Sequence, residues 1–429
     1  MNSHVTLLVF FKTVFIVHAC PVYLTLSTNS LIQKESTLTV NWGPDCNNQN
    51  IPAKIRIYSK NPYLYETPSL EEITPDNKNF GKVETNLKLG EIKFPRKWNI
   101  NDQFEENIDY ESDSYCLNFF ILSFNHTNHV ISFNCMKINP QWMTKNKELW
   151  LFPLKQLVIP GTHCSGCYMT TSNMRRRNWK NLEIFQQRFN VWQQLVLGIR
   201  YLDFSVGYFR SFHETLDIKG RFWVFNENHE ITPIFSILED ILHFCELSKE
   251  IVIINFSNFV YGFHEGSGAH EIFKKLLQNT FGHIAVINMQ NGKLSSDLTI
   301  QQLKTASKYV LILYNYNDLN IFNEQKETIL WPQWNHNQIN ITENVANIST
   351  RFSEKIKSAD MVNEGWILEI ISKKSLKDID NNFFIQMLNE SLVNVISLNF
   401  AFLTNIIDIS LNINNQRALS RQNFITIDF

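Results

Sequence analysis

From Val22 to about Lys137, apolar and polar residues alternate in short runs. Thr37-Leu38-Thr39-Val40-Asn41-Trp42 and Ala53-Lys54-Ile55-Arg56-Ile57-Tyr58 step with period two, the pattern of a strand with one face in a core and one in water. Tyr115–Leu122 and Val130–Lys137 repeat it, and turn-forming stretches such as Thr74-Pro75-Asp76-Asn77 separate the runs. No helical periodicity of useful length interrupts them. The pattern predicts a small all-β sandwich over residues 20–140, ending at Asn139-Pro140.

Beyond about Leu151 the pattern changes. Apolar runs of strand length, Gln156–Pro160, Tyr201–Val206, Phe222–Phe225, Ile251–Phe256, Tyr309–Tyr314, Trp366–Ile371 and Val395–Asn399, alternate with stretches of helix length such as Ile184–Leu197, Ile237–Leu247 and Ala269–Gln278. Unbroken Val/Ile/Leu runs suit strands covered on both faces. Strand–helix alternation over residues 145–429 predicts an α/β fold, a (β/α) TIM-type barrel. A doubly wound sheet is the alternative. The whole chain holds only 14 Gly, and no G-x-G-x-x-G or G-K-[ST] run, so nucleotide binding has no support.

The N-terminus modifies the picture. Val5–Val17 is mostly apolar and Val17-His18-Ala19 has the small residues of a cleavage site, which predicts a signal peptide over residues 1–19 and a secreted, extracellular, soluble protein. Lys12 within the run counts against it; the alternative is a buried N-terminal strand. Sequons at Asn125, Asn340, Asn347 and Asn389 fit secretion, while a fifth, Asn255, lies in an apolar run and is expected to be buried. Of 7 cysteines, Cys20, Cys46, Cys116 and Cys135 can form two bridges in any of three connectivities. Cys164-Ser165-Gly166-Cys167 is read as a stapled loop, or as one thiol paired with a distant partner, rather than a redox or zinc site. An odd count leaves at least one thiol over.

With 39 Lys+Arg against 41 Asp+Glu the net charge is -2, which argues against a nucleic-acid partner. The one basic run, Arg175-Arg176-Arg177, reads as a solvated loop.

In a barrel the chemistry sits where strands give way to loops. The first strand of the second region ends in Ile159-Pro160-Gly161-Thr162-His163, read as a Pro-Gly turn presenting an imidazole. Gly198-Ile199-Arg200-Tyr201-Leu202-Asp203 follows with a carboxylate near a strand end. This combination resembles the phosphatidylinositol-specific phospholipase C X-domain family. Phe222-Trp223-Val224 looks like its third strand and Lys249–Phe256 its fourth. Trp331-Pro332 resembles a family loop, and Asn394–Asp408 the closing strand and helix. The β-rich region, with Ile57-Tyr58 and Trp142-Met143, resembles the accessory domain of animal X-domain-containing proteins.

The resemblance implies metal-independent cleavage of phosphoinositide-type phosphodiesters, with no cofactor. The partner it implies is a phospholipid or inositol-phosphate headgroup, met by peripheral membrane contact; it names no protein partner. It places His163 as general base and Asp203 as a retained carboxylate. Four positions depart from the pattern: Cys164 replaces an acidic or polar residue, Ser205 an Arg, Asn226 the second His and Asn399 an Asp. His229 is the alternative acid, while Glu227 and Glu230 read as solvated charges. A lost general acid costs ~10²–10⁴ in rate and a lost electrostatic donor ~10²–10³. A weakened or inactive phosphodiesterase is therefore implied; the alternative is a non-catalytic secreted binding module. His163, Asp203, Ser205, Asn226 and Asn399 are expected in one pocket, with His163 its only imidazole and no Arg opposite.

Overall fold

The structure, a computed structural model, describes residues 20–27, 37–43, 46, 51–76, 80–90, 92–96, 115–169, 184–209, 218–289, 292–315, 327–341, 365–372 and 393–425. Residues 1–19, read above as a signal peptide, Arg175–Arg177, Asn347 and Asn389 lie outside these residues, as does the side chain of Asn340.

The period-two runs form two antiparallel sheets. Strands β1 (Val22–Leu26), β2 (Thr37–Trp42), β3 (Lys54–Tyr58), β4 (Glu71–Ile73), β5 (Gly81–Lys88), β6 (Cys116–Phe124) and β7 (Val130–Lys137) pair in the orders β1-β2-β5 and β4-β3-β6-β7. Val22, Leu24, Val40 and Trp42 of one sheet share a core with Ile55, Ile57, Leu117 and Ile121 of the other. Of the three connectivities open to the first four cysteines, the structure has Cys20–Cys46 and Cys116–Cys135.

The remaining strands are β8 (Ile159–Thr162), β9 (Tyr201–Tyr208), β10 (Phe222–Asn226), β11 (His229–Pro233), β12 (Val252–Phe259), β13 (Val310–Tyr314), β14 (Leu330–Trp331), β15 (Asn335–Ile341), β16 (Trp366–Ser372) and β17 (Val395–Leu398). Eight of them form a curled parallel sheet in the order β14-β13-β12-β9-β8-β17-β16-β15. Among the described residues its ends, β14 and β15, do not pair, so the barrel is open there.

Two corrections concern its first strands. Phe222–Asn226 is not the third parallel strand: β10 runs antiparallel to β9, joined to β11 as a hairpin. It takes the edge of β9 that β8 vacates beyond Thr162, since β8 pairs Tyr201 and Leu202 while β10 pairs Ser205 to Tyr208. Gly207 permits this, because a Cβ there would lie 2.3 Å from the Phe225 ring. Secondly, Pro160-Gly161 is strand, not turn. A Cβ on Gly161 would stand 2.7 Å from the Tyr201 ring, so this glycine makes room for a core tyrosine.

The helices are α1 (Trp142–Lys145), α2 (Val191–Leu197), α3 (Ile234–Ser248), α4 (Ala269–Phe281), α5 (Ile300–Thr305) and α6 (Ile406–Ile425). Helix α2 is shorter than its apolar pattern suggested, because Asn190 and Gln193 form a capping box that starts it at Val191. No described helix is long and apolar enough to cross a membrane.

Strand periodicity explains where chemistry can sit. Ile159, Tyr201, Ile253, Leu311, Trp334, Ile367 and Val395 pack into one apolar plug within the sheet's curl. The alternate positions Leu368, Ile370, Ile396 and Leu398 face outward onto Ile406, Ile409 and Ile413 of α6. With both faces covered, the strands read as unbroken apolar runs. Inward positions recur every second residue, so the next steps up from the plug include Asp203, Asn255, His336, Glu369 and Ser397, with His163 just past β8. A polar layer therefore lies on top of an apolar one.

Beneath the plug, Arg200 and Glu250 form a fully buried pair. The Arg200 guanidinium donates to Glu250 Oε2 at 2.8 Å, to the carbonyls of Leu195 and Ile199 at 2.8 Å and to that of Asn139 at 2.9 Å. Glu250 accepts the amides of Met143 at 3.1 Å and Thr144 at 2.6 Å. The segment entering the barrel is thereby tied to its floor.

Candidate functional site

His163 follows β8 directly, and its amide donates to the Leu398 carbonyl of β17 at 2.9 Å. Hydrogen bonds then knit the loop to β9. The Ser165 amide donates to the Asp203 carbonyl at 2.8 Å, and the Asp203 amide to Ser165 Oγ at 2.9 Å. Gln187 holds the His163 carbonyl at 2.7 Å and Gln194 that of Ser165 at 2.9 Å. Cys164 and Cys167 are disulfide-bonded to each other, which closes the loop on itself and leaves no pairing with a distant partner. Cys164 has φ 43. Both cysteines are buried, and the thiol left over is Cys245, also buried.

The anchored loop points His163 at two carboxylates. Its Nδ1 lies 3.2 Å from Asp203 Oδ2 and makes a short hydrogen bond with Glu369 Oε1. The other Asp203 oxygen accepts the Asn255 amide at 2.9 Å. The other Glu369 oxygen lies 3.4 Å from Nε2 of a second imidazole, His336. Asp203 and Glu369 are almost wholly buried, at 1% and 4% exposure. The His163 side chain keeps 19% of its surface open, and its Nε2 has no partner among the described residues.

Charge follows from this geometry. Burial opposes a charge on His163, but the Glu369 carboxylate and the Asp203 hydrogen bond outweigh it and raise its pKa to about 10. Burial likewise opposes ionisation of Glu369, and His163 with His336 outweighs it, holding that carboxyl at about 2. His336 is raised too, its burial offset by Glu369. At neutral pH, then, His163 is an imidazolium between two carboxylates. Its raised pKa contributes stability that is complete below pH ~6.5 and is lost as pH climbs through about 10. The depressed pKa of Glu369 contributes stability present above pH ~4.5 and lost as pH falls through about 2. Urea unfolding should therefore show wild type losing stability between pH 7 and 10 relative to His163→Ala; parallel curves would contradict this.

Nδ1 of His163 and one oxygen each from Asp203 and Glu369 lie within 4.8 Å of one another, close enough to hold a cation. As the side chains stand, Nδ1 of His163 is in hydrogen-bond reach of both carboxylates, so one ring nitrogen links the trio. Among the described residues no Arg or Lys contacts it.

The structure thus brings together His163 and Asp203. Ser205 lies two residues beyond Asp203 on β9, half-buried. The Asn226 amide is engaged elsewhere, donating to the Ile184 carbonyl at 2.9 Å. His229 pairs with Asn226 across the β10–β11 hairpin, with Glu227 in the turn between them. Asn399 follows β17 and is buried. The expectation of a single imidazole is wrong, since His336 reaches Glu369. The sequence reading missed both residues. Glu369 carried the same signal as Asp203, a lone carboxylate inside an apolar strand; His336 carried a weaker one, two residues beyond the core Trp334.

No protein-family model matches the chain, and no curated protein sequence matches it. Solved structures do. Two structures titled for the modulation of membrane binding by Staphylococcus aureus phosphatidylinositol-specific phospholipase C are each 13% identical, with TM-scores of 0.42 and 0.44. They cover 63% and 64% of this chain, and 96% of their own. The F249X mutant of the same enzyme is 12% identical with a TM-score of 0.40, over 63% of this chain and 96% of its own. A likeness at that level carries no residue role across.

Proposed function

We propose that this chain is a secreted protein of the phospholipase C X-domain type, a β-sandwich of residues 20–140 followed by a barrel of residues 145–429. In this reading the barrel mouth takes the phosphodiester headgroup of a membrane phospholipid by peripheral contact. The observation that carries it is His163, its Nδ1 clasped by Asp203 and Glu369 and its Nε2 edge open at the mouth. Such an imidazolium offers one N–H to a phosphoryl oxygen and supplies the positive charge that Ser205 cannot. The motif Ile159–His163 followed by Gly198–Asp203 supports the same assignment.

Cleavage needs more than binding. A general base must take the proton of the attacking hydroxyl, and with a pKa of about 10 His163 is already protonated. At pH 7 only a minority of molecules then has Nε2 free. The chain is accordingly a slow phosphodiesterase at neutral pH and a ready headgroup binder. That protonation equally favours a second reading, a binding module that does not cleave.

Titration calorimetry at pH 7 with a soluble inositol phosphate tests the headgroup site. A charge-assisted hydrogen bond contributes ~1.5–3 kcal/mol, so His163→Ala should bind about ten- to a hundredfold more weakly. Equal affinity of wild type and variant would remove His163 from the site and end this reading.

A further inference from the structure

We infer that His336 is a catalytic residue, the proton donor to the leaving group; this rests on the phosphodiesterase reading above. Asn226, where the resemblance placed that function, gives its amide to the Ile184 backbone, and an amide has no proton to release at working pH. His229 sits across the hairpin from it. His336 is the second imidazole that the described residues bring to the cluster. Its Nε2 faces Glu369 at 3.4 Å and 28% of its side chain is accessible. Nδ1 has no partner among the described residues and is free to face a substrate.

One carboxylate therefore joins two imidazoles, and the step balances across it. The attacking hydroxyl oxygen of the headgroup forms a bond to phosphorus, and the bond from phosphorus to the departing alcohol oxygen breaks. The hydroxyl proton passes to Nε2 of His163, in the molecules where that nitrogen is free. The departing alkoxide takes a proton from imidazolium His336. Before the step Glu369 faces one imidazolium, His336; afterwards it faces one imidazolium, His163. The charge of the cluster is unchanged, so the stabilisation Glu369 provides is kept throughout. In water, Nε2 of His163 and Nδ1 of His336 then exchange protons with solvent and the site resets.

Leaving-group chemistry separates this role from a structural one. An alkoxide needs a proton as it departs; a nitrophenolate does not. Wild type and His336→Ala are compared on phosphatidylinositol vesicles and on a nitrophenyl ester of inositol phosphate. The variant should lose ~10²–10⁴ in rate on the lipid and stay within a few-fold of wild type on the aryl ester. His336→Gln, which keeps a donor to Glu369 but cannot release a proton, should behave like Ala. Equal losses on both substrates would make His336 structural, and no loss on either would make it a bystander; each overturns the proposal. The proposal likewise falls if His336→Gln retains the lipid rate. Wild type turning over neither substrate would refute the phosphodiesterase reading itself, and the role of His336 with it.

Discussion

Arg200→Met should lower the stability of the protein by about 3–5 kcal/mol in urea unfolding at neutral pH. Arg200 and Glu250 are both 0% exposed. Methionine fills much of the guanidinium's space and removes every donor. The carbonyls of Ile199 and Asn139 then lose the guanidinium and that of Leu195 keeps only the Gly198 amide at 3.1 Å, and Glu250 keeps its charge with only the Met143 and Thr144 amides to meet it. An unsatisfied buried group costs ~1–3 kcal/mol and an uncompensated buried charge more. Glu250→Leu alone should cost a similar amount. The double replacement should cost less than the sum of the two, because it leaves no buried charge behind, and that non-additivity marks a direct pair. A single variant within ~1 kcal/mol of wild type would mean that this clasp is not what holds the entering segment to the barrel floor.

Sequence alone reached different depths in different parts of the molecule. Strands with one wet face, such as Lys54–Tyr58, and strands covered on both, such as Val310–Tyr314, lie where their patterns put them, because periodicity reports burial directly. The direction of Phe222–Asn226 was not recoverable, since an apolar run is the same whether its strand is parallel or antiparallel. Only Gly207, a residue whose missing side chain admits Phe225, hints at the hairpin. Pro160-Gly161 misled for a related reason. Glycine signals a turn in isolation, yet here it answers to Tyr201, 40 residues away in sequence. In the site, Asp203 was found because it closes a recognisable segment. Glu369 sits in an equally telling run, but its bond to His163 spans 206 residues, and no local pattern joins the two. The carboxylate and second imidazole beside His163 became visible only once the strands were side by side.

The proton on His163 decides how the site behaves. If Glu369 and Asp203 hold it as inferred, headgroup binding should persist from pH 6 to pH 9 and fall off near 10, where the imidazolium is lost. Cleavage should rise above neutral pH, as free Nε2 becomes more common, for as long as His336 keeps its own proton. Glu369→Gln removes the larger of the two attractions, so the imidazole should then titrate well below its wild-type value, with burial opposing the charge and Asp203 alone supporting it. An NMR titration of the His163 ring in the wild-type protein measures the property on which all of this depends. A midpoint near 10 is the expected result. A midpoint at or below ~6.5, the value of a free histidine, would show that the two carboxylates do not clasp a charged imidazole, and the account of the site would fail.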